Sequence, residues 1–181
     1  FASTFTQLAD NEIDGYTFET KTTAGSVANL RLISDGYIDL AIVQADLLSD
    51  AYNATGTFAD KKYQKGYKAI ASLYTECCQI VVRKDSGITG IDDLINKTVS
   101  VGASESGTEK NAEQILKMSG ITDELINKVN MDYTEAAEKL KAGEIDAFFC
   151  TAGTRTEVIG QLSKECDIRL ISLDDKCIDK M

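Results

Sequence analysis

The stretches LISDGYIDLAIV at residues 32–43 and AEKLKAGEIDAFF at residues 137–149 share one pattern. Each predicts an amphipathic helix, a glycine that ends the helix, and an Ile-Asp pair that leads into a buried strand. Because the pattern occurs once in each half of the chain, we expect two similar α/β lobes with a ligand cleft between them. Such an arrangement predicts a binding protein.

The composition restricts the partners that the chain could have. Its 181 residues hold 19 Lys and Arg against 29 Asp and Glu, so the formal net charge is -10, and 43% of the residues are apolar. This apolar share supports a globular core, and a net negative charge without a long basic run disfavours nucleic acid or an anionic membrane as a partner. No apolar run approaches the roughly 20 residues of a membrane helix, and no signal peptide is recognisable. We therefore expect a soluble chain.

Histidine, tryptophan and proline are absent from the sequence. Without histidine, the chain by itself holds no Ser-His-Asp triad, no Cys-His dyad and no imidazole zinc site. Its five cysteines contain no C-x-x-C spacing, so neither a zinc ribbon nor a thioredoxin-type site is predicted. Asp39 and Asp146 follow Ile at predicted strand starts, and we interpret both as turn or capping residues. We expect no metal site, no cofactor and no enzymatic activity.

Hydrophobic periodicity and turn residues predict strands that alternate with helices, which favours an α/β fold with mainly parallel sheets. Strands are expected at 16–20, 40–43, 69–74, 79–83, 98–101, 129–131, 145–150 and 168–171. Helices are expected at 1–10, 27–33, 91–96, 108–118, 122–128, 134–141, in the stretch that ends at 162, and from 174 onward.

The run SVGASESGT at residues 100–108 is the strongest local signal for a ligand. It is a predicted strand that ends in small and hydroxylated residues and leads into a helix, so free N–H groups, the positive end of a helix dipole and hydroxyl donors meet at one point. This chemistry suits a carboxylate or a phosphate. The run is neither a Walker A loop nor a full G-x-G-x-x-G fingerprint. The alternative is ordinary helix capping by Ser106 or Thr108.

A similar small, hydroxylated turn, TAGS at residues 23–26, precedes the predicted helix in the first half, with Asn29 one turn further on. Taken alone, this turn is typical of a plain helix start. Gln44 and Asp46 follow one predicted strand, and residues 151–153 follow another. Open α/β sheets bind ligands at the carboxyl ends of their strands. These groups therefore predict a polar site shared by both halves.

Tyr74 ends a predicted strand. Its ring could pack on the apolar part of a small ligand while its hydroxyl donates a hydrogen bond, and the alternative is a core or rim position. We keep it as a candidate ligand-binding residue.

Several sequence blocks, taken together and in collinear order, resemble the TAXI family, the extracytoplasmic solute receptors of TRAP transporters. The blocks are TAGSVANLRLI at 23–33, DLAIVQAD at 39–46, AIASLY at 69–74, VVRKDSG at 81–87, SVGASESGT at 100–108 and IDAFFCTAG at 145–153.

The resemblance implies a type II periplasmic-binding-protein fold, in which two α/β lobes with mainly parallel sheets close on a small organic anion. The implied ligand is glutamate, a glutamate-like amino acid, a dicarboxylate or a 2-oxoacid, and the implied partners are the membrane permease subunits of a TRAP transporter. An extracytoplasmic location, periplasmic or anchored at the cell surface, is also implied. By position, the implied ligand-binding residues are Gly25, Ser26, Asn29, Gln44, Asp46, Tyr74, Ser104, Ser106, Gly107, Thr108, Thr151, Ala152 and Gly153.

The sequence departs from the family at two points. Family members usually begin with a Gly/Thr-rich strand and loop and continue beyond the point where this sequence stops. We therefore expect residues 1–83 to form an incomplete first lobe that ends in a crossover strand, residues 84–171 the second lobe, and residues 172–181 the start of a truncated segment. In addition, Ser104 and Glu105 stand where the family usually carries proline. The extra carboxylate would point outward or favour a ligand with an amine.

Two other classes of function share this fold. A ligand-sensing domain of a regulator would be fused to a DNA-binding or signalling segment. An enzyme would need a positioned nucleophile or base, and the absence of histidine weakens that alternative.

Overall fold

The computed structural model describes residues 2–60, 66–173 and 175–180, with the backbone alone described for Lys176. The chain divides into two compact units, one up to Tyr67 and the other from Lys68 onward. The lobe boundaries predicted at residues 83 and 171 stay predictions.

Seven α-helices and five strands lie in the described ranges, together with three short 3-10 turns. The helices are α1 (Ala2–Glu12), α2 (Ser26–Ser34), α3 (Ala45–Asn53), α4 (Gly107–Met118), α5 (Tyr133–Ala142), α6 (Glu157–Glu165) and α7 (Asp175–Ile178). The strands are β1 (Cys77–Arg83), β2 (Thr98–Ser100), β3 (Asn127–Val129), β4 (Ala147–Ala152) and β5 (Ile168–Ile171). The 3-10 turns are Gly56–Phe58, Lys84–Ser86 and Ile91–Leu94.

The first unit is built from α1, α2 and α3. A small apolar cluster forms its core, and its buried members are Val27, Leu30, Leu47, Ala51 and Phe58. No strand is present in the described part of this unit, so the strands predicted at 16–20 and 40–43 are wrong. The reason lies in the backbone hydrogen bonds: the Phe18 N–H donates to Asp10 Oδ1 at 2.7 Å, and the Ile42 carbonyl accepts from Asn29 Nδ2 at 2.8 Å. Side chains satisfy groups that a neighbouring strand would pair in a sheet.

The second unit contains a five-stranded sheet of order β3-β2-β4-β1-β5. β2 runs parallel to β3 and to β4, whereas β1 is antiparallel to β4 and to β5. The predicted α/β fold is confirmed, and the sheet is mixed because β1 enters against the direction of its two neighbours. The strand predicted at 69–74 is wrong. β4 ends at Ala152, which pairs with Cys77, so residues before Cys77 have no β4 residue opposite them.

Both faces of the central strands are buried. Val82 and Phe149 lie in a cluster on one face, whereas Val81 and Phe148 lie in a cluster on the other. All four are completely buried. This alternation follows from the period of two residues in a strand, and it explains why both strands read as continuous apolar runs.

Local sequence patterns correctly predicted most of the other helices and strands. The predictions for α2, α4, α5, α6, β1, β2, β4 and β5 are confirmed with small shifts of their ends. The predicted N-terminal helix is present as α1 and the last as α7, while Phe1, Asp174 and Met181 lie outside the described residues.

The helix predicted at 122–128 is wrong. A turn closed by Leu125 N–H on the Thr122 carbonyl at 2.9 Å leads directly into β3, which therefore begins two residues before the strand predicted at 129–131. The Asn127 N–H donates to the Lys97 carbonyl at 2.8 Å, so pairing with the β2 strand overrides the local preference. The helix predicted at 91–96 is only a 3-10 turn, and Asn96 beyond it has a left-handed φ of 61°.

Candidate functional site

The loop between β2 and α4 is held by close contacts around Gly102. This residue has a φ of 98°, and a Cβ placed on it would lie 2.9 Å from Thr108 Cβ and 3.1 Å from Ser106 Oγ. Ser106 is the N-cap of α4, because its Oγ accepts from the Glu109 N–H at 3.0 Å. Ser106 thus has the capping role that the sequence offered as the alternative, and its predicted role in ligand binding stays a prediction.

A buried carboxylate ties this loop together. Glu109 is only 9% exposed, and its Oε2 accepts from the Glu105 N–H at 2.9 Å. Its Oε1 accepts from Asn130 Nδ2 at 2.8 Å, and the same amide nitrogen donates to the Gly102 carbonyl at 2.9 Å. One of the loop N–H groups that could meet an anion is therefore already used by the chain's own carboxylate.

Three residues form a closed ring of hydrogen bonds beside the N-terminus of α4. The hydroxyls of Thr108 and Tyr133 are hydrogen-bonded to each other, and the Tyr133 hydroxyl donates to the Thr151 carbonyl at 2.9 Å. The Thr151 N–H faces Thr108 Oγ1 at 3.4 Å. The ring joins the starts of α4 and α5 to the end of β4. We call it the hydroxyl ring.

Burial determines the ionisation of the groups at the hydroxyl ring. Desolvation raises the pKa of Tyr133 to about 12, and it raises the pKa of the neighbouring Cys150 thiol to about 11. The pKa of Cys78 is also raised, mainly because the thiol is buried. The phenol and both thiols are therefore neutral near pH 7.

The turn after β4 is fixed by side chains. Thr156 Oγ1 donates to the Gly153 carbonyl at 2.8 Å and accepts from Gln79 Nε2 at 3.2 Å. Ala152 and Gly153 are half-buried here. This places the predicted group 151–153 at the carboxyl end of β4, next to the strand that leads into α4.

The predicted residues of the first unit make separate, local hydrogen bonds. The Ser26 Oγ accepts from the Gln44 N–H at 3.0 Å, and Asn29 Oδ1 accepts from Thr23 Oγ1 at 2.6 Å. Gly25, with a φ of 134°, precedes α2 as its N-cap. Asp46 lies in the first turn of α3 and accepts from the Leu47 N–H at 2.8 Å.

The sequence therefore located some members of the site and missed others. Thr108 and Thr151 are brought together as predicted residues, with Ser106 and Gly107 at the same helix start. Ser104 is exposed, and Tyr74 is 54% exposed in a stretch without regular secondary structure.

Tyr133, Asn130 and Glu109 were not predicted. One signal could have found Tyr133: Asp132 and Glu135 have the spacing of a helix N-terminus, and Asp132 does cap α5 by accepting from the Glu135 N–H at 2.9 Å. That cap puts Tyr133 at the first position of a helix that follows β3.

A groove of about 410 Å³ lies between α5 and α6. Three glutamates line it, Glu138, Glu157 and Glu165, together with the ring of Tyr133. Lys141 forms ion pairs with Glu138 at 3.3 Å and with Glu165 at 2.7 Å, so its one positive charge is already used and the groove remains unfavourable for an anion. In the part of the chain that the structure describes, no group of His, Cys, Asp or Glu side chains has an arrangement that could hold a metal ion.

The model of the NMT1-like family matches residues 3–181, nearly the whole sequence. The chain belongs to the NMT1-like family. None of the helices in the described ranges combines the length and the apolar composition that a membrane span requires.

Solved structures of periplasmic binding proteins resemble this NMT1-like chain. One is the alkanesulfonate-binding protein SsuA from Xanthomonas axonopodis pv. citri bound to MOPS, with 17% identity, a TM-score of 0.61, and coverage of 94% of this chain and 55% of that protein. A second is the periplasmic aliphatic sulphonate binding protein SsuA from Escherichia coli, with 16% identity, a TM-score of 0.57, and coverage of 94% and 52%. A third is an ancestral arginine-binding protein bound to arginine, with 18% identity, a TM-score of 0.58, and coverage of 94% and 66%.

These likenesses confirm the predicted type II periplasmic-binding-protein fold. At such low identity they concern the fold alone. The NMT1-like chain spans about half the length of the two sulfonate-binding proteins.

Proposed function

We propose that this chain belongs to the solute receptor of a TRAP-type transporter of the TAXI group, located outside the cytoplasm. It binds a small organic anion, such as glutamate, a related dicarboxylate or a 2-oxoacid, and delivers it to membrane permease subunits. Membership in the NMT1-like family and the type II fold support a solute receptor. The collinear sequence blocks described above support the TAXI group and the TRAP permease as its partner.

The observation that carries the proposal is the meeting of a helix N-terminus with hydroxyl groups at one edge of the sheet. β2 and β4 are parallel neighbours, so their carboxyl ends lie at the same edge, where open α/β sheets bind ligands. α4 begins there, and Thr108 and Thr151 lie beside its N-terminus. The positive end of the α4 dipole favours an anion at this point.

The site supports binding rather than catalysis. Its thiols and its phenol are neutral near pH 7, and the buried Glu109 carboxylate is committed to Glu105 and Asn130. A nucleophile needs a lowered pKa or an adjacent base. We therefore propose that the chain is not an enzyme and uses no cofactor.

A thermal-shift panel tests the proposal. The chain is melted with glutamate, glutamine, 2-oxoglutarate, succinate, an alkanesulfonate and arginine, and the last two are included because the similar structures hold a sulfonate and arginine. A solute at about 100 times its Kd stabilises the fold by roughly 2.7 kcal/mol. We expect a carboxylate solute to raise the melting temperature. A shift with the sulfonate alone would overturn the ligand class, and no shift with any solute would overturn the receptor function.

A matched pair of variants locates the binding. Thr108→Val removes the hydroxyl and keeps the shape of the side chain, whereas Thr122→Val makes the same change at an exposed residue outside the site. We expect weaker solute binding in the first variant only. Equal binding by both variants and by the unchanged protein would remove Thr108 from the site.

A further inference from the structure

The direction of each hydrogen bond in the hydroxyl ring follows from counting protons. The Thr151 carbonyl is only an acceptor, so the Tyr133 hydroxyl, 2.9 Å away, donates its single proton to this carbonyl. Toward Thr108 the phenol oxygen can then only accept. The bond between the two hydroxyls is therefore donated by Thr108.

The same count shows what Thr108 has left for a ligand. Its proton is given to Tyr133, and one lone pair faces the Thr151 N–H at 3.4 Å. A hydroxyl oxygen has two lone pairs, so one acceptor position remains and no donor position. Thr108 is 3% exposed, which keeps water from replacing these partners easily.

The residues around the hydroxyl ring also favour a hydrogen-bond donor on the ligand. Glu109 is buried one position further along α4, and Glu105 is half-buried in the loop before it. Because Glu109 follows Thr108 on the same helix start, a ligand ammonium is favoured beside the Thr108 hydroxyl and a ligand carboxylate is not. The donors for the solute's acid group must then come from the backbone at the start of α4.

We infer that Tyr133 is a specificity-determining positioning residue, which holds the Thr108 hydroxyl as a hydrogen-bond acceptor and so selects amino acids over 2-oxoacids and dicarboxylates of the same size. The inference rests on the proposed function. An ammonium group donates to the remaining lone pair of Thr108, whereas a keto oxygen or a carboxylate meets a lone pair and is rejected.

The variant Tyr133→Phe reverses this preference. The ring of the side chain keeps its place, but the acceptor for the Thr108 proton is gone, so the Thr108 hydroxyl is free to rotate and donate. Glutamate and 2-oxoglutarate are the right pair of probes, because glutamate carries an amino group where 2-oxoglutarate carries a keto oxygen. Tyr37→Phe is the matched control, since Tyr37 is 76% exposed in the first unit.

Isothermal titration with both probes tests the inference. We expect the unchanged protein and Tyr37→Phe to prefer glutamate, and Tyr133→Phe to lose about tenfold of that preference. A Tyr133→Phe protein that keeps its circular dichroism spectrum and its glutamate preference would overturn the inference and leave the receptor function standing. A wild-type protein that binds 2-oxoglutarate more tightly than glutamate would also overturn the inference alone. If no small acid binds the wild-type protein, the proposed function fails, and the inference fails with it.

Thr108→Val keeps the test decisive if Tyr133→Phe does not fold. Valine offers no lone pair, so glutamate binding should weaken more than 2-oxoglutarate binding, and the ratio of the two affinities should fall. Thr108→Ser restores the hydroxyl and should restore the ratio. An unchanged ratio in the folded valine variant would contradict the role of Thr108 as an acceptor.

Discussion

The two units of this chain differ in the partners of their strand-like segments. In the second unit, residues 77–83 and 147–152 pair with each other in a ladder, and further strands lie on both sides. In the first unit, residues 16–20 and 40–43 have equally strand-like sequences, but the hydrogen bonds of Phe18 and Ile42 go to side chains. An apolar, β-branched sequence therefore became a strand only where a neighbouring strand was available.

Burial follows the same division. Val81, Val82 and Phe148 are completely buried in the second unit, whereas Leu40 is 47% exposed and Tyr16 73% exposed in the first. Burial of apolar side chains is the main favourable term in folding. The second unit should therefore carry most of the stability of the described chain.

The largest expected effect is a loss of stability, and it compares the cores of the two units. Phe149→Ala removes a completely buried β4 ring from the larger core cluster of the second unit, and such changes cost about 3–5 kcal/mol. Phe58→Ala in the small cluster of the first unit should cost less, because fewer apolar side chains surround it. Urea denaturation and amide hydrogen exchange measure both. Loss of protection in β1 and β4 of the Phe58→Ala protein would break the proposed division of stability.

The second effect concerns the loop that carries the site. Gly102→Ala places a Cβ 2.9 Å from Thr108 Cβ at a φ of 98°, so we expect a loss of about 2–4 kcal/mol and weaker solute binding. Gly120→Ala is the control. It has a similar φ of 78° but nothing within 4 Å of the new Cβ, so only about 1–2 kcal/mol of backbone strain should appear. Equal losses in urea denaturation would show that the contact with Thr108 does not matter.

Much of this fold could be predicted because its signals are local. The Gly143 stop after α5 has a φ of 76°, as the helix-Gly pattern predicts, and Ser106 caps α4. Strand pairing is not local. The wrong prediction at 69–74 and the helix predicted at 122–128 both failed because the outcome depends on which strand lies opposite, and one sequence does not contain that information.

The candidate site also contains residues that the sequence could predict and one that it could not. Thr108 and Thr151 could be predicted because Thr108 lies at the start of a helix that follows a strand, and Thr151 lies at the end of a strand. Tyr133 could not be predicted, since its role depends on a contact with two other elements that only the folded sheet brings together.

A smaller effect separates the helix starts of the two units. Ser106→Ala removes the side-chain cap of α4 and should cost about 1 kcal/mol. The start of α2 has no side-chain cap, because its N-cap is Gly25. Thermal melting of Ser106→Ala beside Ser104→Ala measures the difference, and an equal melting temperature for the two would contradict a stabilising cap.

The smallest effect is a pH dependence in the second unit. Asp93 accepts hydrogen bonds from the Thr89 N–H, the Thr89 hydroxyl and the Gly90 N–H, and these bonds lower the pKa of its carboxyl group. A lowered folded pKa means that the stabilisation is present above the ordinary value of about 4 and is lost as the pH falls through the folded pKa.

Asp93→Asn should therefore melt below the unchanged protein at pH 7, and the gap should close in acid. Asp92→Asn makes the same charge change without these bonds. A gap that is constant with pH, or equal in both variants, would contradict the assignment.

The most direct test of the account is amide hydrogen exchange of the chain with and without saturating L-glutamate. We expect new protection at residues 106–109 and 151–153, where α4 begins and β4 ends. Protection confined to α5 and α6, around the acidic groove lined by Glu138 and Glu165, would contradict it.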